Sequence, residues 1–130
     1  MGTQEKTMKV LSNKEKQMLL EETVDYLYEN KLFDDVNIYI GGRKYSDCGK
    51  QDELKKTTNG SKYYDRGECD VTSIVEYSNP KTLTMTFEGI LYDMIDMNGI
   101  PEGLEAVFEK YGLYAEQGYA WSLALYPING

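Results

Sequence analysis

An α+β domain is the fold this sequence predicts: an antiparallel sheet of about five to six strands, with an N-terminal helix and two short helices packed on one face. Two observations lead there. The pattern runs helix, hairpin, long loop, two strands, two short helices, final hairpin, and strands that follow one another through short turns pair antiparallel. The chain is also the size of one domain, with 130 residues, 41% hydrophobic and 28% charged. That is enough to hide about two-thirds of the unfolded surface in a single core. No internal repeat and no linker divides the chain, so 1–130 reads as one unit.

Residues 1–11 read as a loose polar leader. Ser12 and Glu15 then have the spacing of a capping box, which satisfies two orphan backbone donors at a helix start. Leu20, Val24 and Leu27 follow at i, i+4 and i+7, and the helix runs from about 13 to 30, stopping at Asn30. Val36, Ile38 and Ile40 alternate with Asn37 and Tyr39, as in a strand with one face in the core. Gly41-Gly42 tolerates positive φ, so Arg43–Ser46 returns as a hairpin partner.

From Asp47 to Gly67 the aliphatic residues vanish except for Leu54. This long polar loop, 47–67, is either a mobile functional segment or a β excursion around Tyr63-Tyr64. Val71–Tyr77 reads as a strand from its β-branched content, and Ser78-Asn79-Pro80 as a turn. Thr82–Glu88 is the clearest strand: Leu83, Met85 and Phe87 point one way, and Thr82, Thr84, Thr86 and Glu88 the other. The threonine row suits a solvated sheet face. Leu91, Met94 and Ile95 give a short helix ending at Asn98-Gly99. Pro101 opens another, with Leu104, Val107, Phe108 and Tyr111 on one side and Gly112 closing it. The last hairpin joins 113–116 to 119–126 around Gln117-Gly118, with Trp121, Leu123 and Leu125 sharing a face.

The absence of histidine narrows the chemistry. There is no Ser-His or Cys-His dyad and no imidazole base. Cys48 and Cys69 alone cannot complete a zinc site. Each has acidic neighbours, a setting unsuited to a nucleophilic thiolate, and two reduced thiols are expected. No catalytic residue, metal site or cofactor is therefore assigned. Asp93 and Asp96 could in principle do acid–base work or hold Mg²⁺, but a polar helix face explains them equally. No apolar run approaches the roughly 18 residues of a membrane span. The first ten residues hold no stretch of signal-peptide length, so a cytoplasmic location is expected.

Charge is distributed unevenly. The net charge is −8 and the pI is 4.6, so direct nucleic-acid binding is not expected. Residues 1–66 balance to zero, and the whole imbalance lies beyond Arg66, where Lys81 and Lys110 face ten acids. Among these, Glu102, Glu105 and Glu109 share one side of a helix, where like charges cost a few tenths of a kcal/mol each. A solvated amphipathic face explains them, and so does a surface for a basic partner built from Glu88, Asp93, Asp96, Glu102, Glu105 and Glu109. Twelve tyrosines stand beside three phenylalanines and one tryptophan, and tyrosine is favoured at interfaces. Tyr63, Tyr64 and Arg66 form a candidate contact cluster in the polar loop, while Tyr26, Tyr28, Tyr39, Tyr77 and Tyr111 read as half-buried structural residues.

The leading expectation is a non-catalytic, acidic protein-binding domain acting through that Tyr/Arg loop and the acidic second half. Two alternatives stand beside it. One is an acidic inhibitor of the kind phage and mobile elements encode, mimicking nucleic acid. The other is a small-ligand domain with a pocket between sheet and helices, lined by Trp121, Phe87 and Tyr119. Homo-oligomerisation through a strand edge is open.

Overall fold

The computed structural model describes residues 11–47 and 62–128. Helix α1 spans Asn13–Glu29. Its start is the capping box read from the sequence: Glu15 N–H donates to Ser12 Oγ at 3.1 Å, and Ser12 N–H to Glu15 Oε1 at 3.0 Å. Strands β1 (Val36–Ile40) and β2 (Arg43–Ser46) are joined by Gly41 and Gly42 at φ 63° and 75°. A two-residue hairpin turn with both residues left-handed matches the twist of its strands and calls for glycine. Then come β3 (Tyr64–Glu68), β4 (Leu83–Phe87), α2 (Ile90–Asn98), α3 (Glu102–Glu109), β5 (Leu113–Gln117) and β6 (Ser122–Pro127).

The six strands form one antiparallel sheet in the order β3-β2-β1-β4-β6-β5. A single apolar cluster joins Leu19, Leu20, Val24 and Leu27 of α1, Leu91 and Ile95 of α2 and Leu104 and Phe108 of α3. Its sheet side is Ile38, Leu83, Met85, Phe87, Leu123 and Leu125. The helices therefore share one face of the sheet, as the sequence predicts. Glu22 ties α1 to the end of α3: Lys110 Nζ lies 2.5 Å from its Oε1, and the Tyr111 hydroxyl donates to its Oε2.

Three expectations are corrected. Val71–Tyr77 is not a strand. It forms a 3-10 turn, Val71–Ser73, started by Asp70, whose carboxylate accepts from Thr72 N–H; the β-branched residues bury Val71 and Val75 against the sheet instead of pairing with it. The threonine face is not solvated: Thr82, Thr84 and Thr86 are buried, because the 69–81 segment folds over it. Thr84 Oγ1 accepts from Asn79 N–H at 2.9 Å, and Thr82 Oγ1 donates to Leu125 O at 2.6 Å. Trp121 does not share a face with Leu123 and Leu125. It sits in the turn before β6, which begins at Ser122, and packs on the Tyr39–Val71–Val75 cluster. The polar loop agrees with its second reading, a β excursion around Tyr63-Tyr64: 64–67 belong to β3, with Gly67 at φ 99° beside a register shift opposite Arg43 and Tyr45. Residues 48–61 of that loop, the 1–10 part of the leader and Cys48 lie outside the described residues.

Two measurements test this fold. Thr84→Val keeps the shape but leaves Asn79 N–H without its acceptor, and should cost about 1–2 kcal/mol in urea unfolding; on a solvated face the change would be neutral or stabilising. The hydrogen bonds from Lys110, and secondarily from Tyr111, hold Glu22 below the usual glutamate range. A depressed folded value stabilises the protein above the unfolded pKa of 4.5 and loses that contribution as pH falls through the folded value. Glu22→Gln should thus be about 1 kcal/mol less stable than wild type at neutral pH, with the difference shrinking on acidification.

Candidate binding face

The face of the sheet away from the helices is built around a strap of chain, 69–81, laid across β1, β4 and β6. The strap is anchored at both ends. Cys69 N–H donates to Gly42 O at 2.8 Å, and Asn79 Nδ2 donates to Leu125 O at 2.7 Å. Between the anchors, Val71 and Val75 are buried on Tyr39. Burial pushes the Tyr39 hydroxyl pKa up, and a hydrogen bond with Thr86 opposes the shift.

A hollow opens on either side of the strap. The larger, about 500 Å³, runs between the Gly41-Gly42 turn and Glu68, Cys69, Asp70 and Pro80. The smaller, about 230 Å³, is lined by Asp35, Asn37, Tyr39, Ile74, Val75, Thr86, Phe87, Glu88 and Trp121. Beside the smaller hollow stands a row of aromatic rings. Tyr119 stacks on Trp121 at 4.8 Å and 7°, and Tyr77 lies 5.3 Å from Tyr119. Tyr119 donates to Glu76, and that bond raises its hydroxyl pKa. Tyr77 is 58% exposed, Ile74 is 57% exposed, and Tyr77 holds φ 59°. A bulky residue in the left-handed region is rare and carries strain. It is accommodated because residue 118 is glycine: a Cβ there would come within 2.6 Å of Tyr77 Cβ.

The residues singled out from the sequence are placed as follows. Tyr64 and Arg66 lie on the edge strand β3, and Tyr63 just precedes it. Tyr63 packs edge-on against Tyr45 at 5.5 Å and accepts from Gln17 Nε2 of α1 at 3.2 Å. Arg66 lies 4.7 Å over the Tyr64 ring and donates to Ser46 Oγ at 2.7 Å. Glu102, Glu105 and Glu109 share the exposed side of α3, opposite buried Leu104 and Phe108; Asp93 and Asp96 are exposed on α2. Glu88 is separated from them, opening instead into the smaller hollow.

Among the described residues, apolar side chains of the helices and the sheet pack against one another where the sequence suggests a pocket. Trp121 and Phe87 do line a hollow, but on the opposite face, and Tyr119 supports Trp121 from behind. Tyr77 is exposed, not half-buried. Asp35, Ile74 and the outward role of Tyr77 carry no sequence signal, because a positive φ at an aspartate or tyrosine is not a local preference of either residue. Cys69 is a free, half-buried thiol. Among the described residues, no group of three or more cysteine or carboxylate side chains is placed to hold a metal ion, and no helix is long and apolar enough to cross a membrane.

The site thus belongs to an α+β protein with a six-stranded antiparallel sheet and a strapped, aromatic-lined face. In comparisons with protein-family models, curated proteins and solved structures, the chain matches none.

Gly118→Ala tests the aromatic row. The new Cβ meets the root of the Tyr77 side chain, which cannot swing away. The variant should lose about 1–3 kcal/mol in thermal unfolding and shift the ring-proton resonances of Tyr119. An unchanged melting temperature with unchanged Tyr119 resonances would contradict the packing described.

Proposed function

We propose that this chain is a non-catalytic protein-binding module whose partner is basic. The observation that supports the reading is where internal charge pairing stops. Among the described residues, the ion pairs are Arg43–Asp65, Lys62–Asp25 and Lys110–Glu22. All three acids lie in the first half of the chain. Lys110, one of only two cations beyond Arg66, is already engaged by Glu22. All ten acids beyond Arg66 are exposed, and Glu88, Asp93, Asp96, Glu102, Glu105 and Glu109 form no ion pair among the described residues.

An uncompensated acidic surface steers association with cationic partners and repels phosphate backbones. The Tyr77–Tyr119–Trp121 row, with Tyr119 stacked on Trp121 and Tyr77 tilted against Tyr119, adds rigid, amphipathic contact area of the type that dominates interface energetics. The Arg66–Tyr64 pair on the edge strand offers a second contact of the same kind. A free thiol at Cys69 fits a reducing, cytoplasmic setting. Mimicry of nucleic acid is the narrower form of this reading, with the partner's own nucleic-acid site as the target.

The test is retention of a partner by the whole chain at low and high salt, beside the variant Asp93→Asn, Asp96→Asn, Glu102→Gln, Glu105→Gln and Glu109→Gln. Wild-type binding should weaken steeply with salt, and the neutralised variant should bind about tenfold or more weakly at low salt. Salt-insensitive binding, or a variant that binds like wild type, overturns the reading. Displacement of the partner by duplex DNA would select the mimic form.

A further inference from the structure

We infer that the hollow bounded by Trp121, Asp35 and Glu88 is a subsite for one cationic side chain, lysine or arginine, presented by the partner. The inference rests on the protein-binding reading above and gives that surface a point of attachment away from α2 and α3.

Size limits the occupant first. At about 230 Å³ the hollow is smaller than the roughly 300–1,000 Å³ of small-molecule sites, which suits a single side chain reaching in from a larger surface. The lining then sets its charge. The neutral polar groups already serve one another: Asn37 Nδ2 donates to Thr86 Oγ1 at 3.3 Å, and the Tyr39 hydroxyl also bonds with Thr86. The charged groups on the lining are the carboxylates of Asp35 and Glu88, both exposed and neither in an ion pair among the described residues. Glu88 N–H donates to Asp35 O at 3.1 Å, which holds the two residues side by side.

The surroundings sharpen the preference. Asp34 adjoins Asp35, and its carboxyl pKa is pushed up by burial first and by the negative charges of Asp47 and Asp35 second; those neighbouring carboxylates would repel an anion. Trp121 supplies the remaining wall. Tyr119 covers one face of its indole and holds the ring in place. An indole is the strongest aromatic partner for a cation. Its apolar surface also suits the methylene stem of lysine or arginine, whose charged head would meet the two carboxylates. A neutral hydroxylated ligand could use the indole but would gain nothing from the charge.

The probe is N-acetyl-argininamide, with the neutral isostere N-acetyl-citrullinamide and glucose as controls, added to the isotope-labelled full chain. Trp121 is the only tryptophan, so its indole N–H resonance reports on this hollow alone. The arginine derivative should shift that resonance saturably, and both controls should leave it in place. Asp35→Asn with Glu88→Gln should weaken the effect about tenfold or more; asparagine tolerates the left-handed backbone at position 35, so the fold is kept, as unchanged circular dichroism would verify. The variant neutralised on α2 and α3 should retain most of the shift.

Equal shifts by citrulline or glucose, an unaffected double variant, or no saturable shift at all would overturn the subsite. If the subsite fails while partner retention stays salt-dependent, the protein-binding reading stands without it. If retention proves salt-insensitive while the arginine derivative still binds, the acidic-surface reading falls and the subsite survives.

Discussion

The constraint on which the rest depends is the double burial of β4. Leu83–Phe87 lies in the middle of the sheet, between β1 and β6, and every residue in it is buried. One face is closed by the three helices in the ordinary way. The other carries threonines, whose hydroxyls are costly to bury without partners. The 69–81 strap supplies the cover, and the bonds that make threonine tolerable there are Asn79 N–H to Thr84 and Thr82 to Leu125 O. A two-layer α+β domain thereby acquires a partial third layer.

That third layer creates the candidate site. A strap narrower than the sheet leaves a hollow along each of its margins, and both hollows lie on its flanks. Its docking also turns Tyr77 outward at a left-handed φ and brings it against the turn carrying Tyr119 and Trp121. The two hollows and the aromatic row therefore depend on the same short segment. The helices stand apart from it: their inner sides make the core, and the outer sides of α2 and α3 carry acids that form no ion pair among the described residues.

Much of the architecture was legible because it is encoded locally. Ser12 and Glu15 need only each other to cap α1. Gly41-Gly42 meets a turn requirement that few other residues satisfy. The alternation of Leu83, Met85 and Phe87 reports one buried face whatever covers the other. The failures share a cause. Val71–Tyr77 has strand composition, yet β-branched residues also suit a surface pressed against a sheet, and composition cannot tell pairing from covering. A threonine row reads as solvated because its partners, Asn79 and Leu125 O, lie on other elements. The anchoring of Tyr63 by Gln17 and of Arg66 by Ser46 likewise carries no local signal, since those partners are 46 and 20 positions away.

The amino-acid order by itself determined the helix ends, the hairpin turns, the α+β class and the accumulation of acid beyond Arg66, because caps, turns, periodicity and charge act over a few residues or by simple count. Only the tertiary structure decided that 69–81 is a strap, that Trp121 leaves the face of Leu123 and Leu125, and that Glu88 parts company with the acids of α2 and α3 to join Asp35. Each of those outcomes depends on which distant surfaces must be kept from water together, a property of the assembled chain and of no single stretch within it.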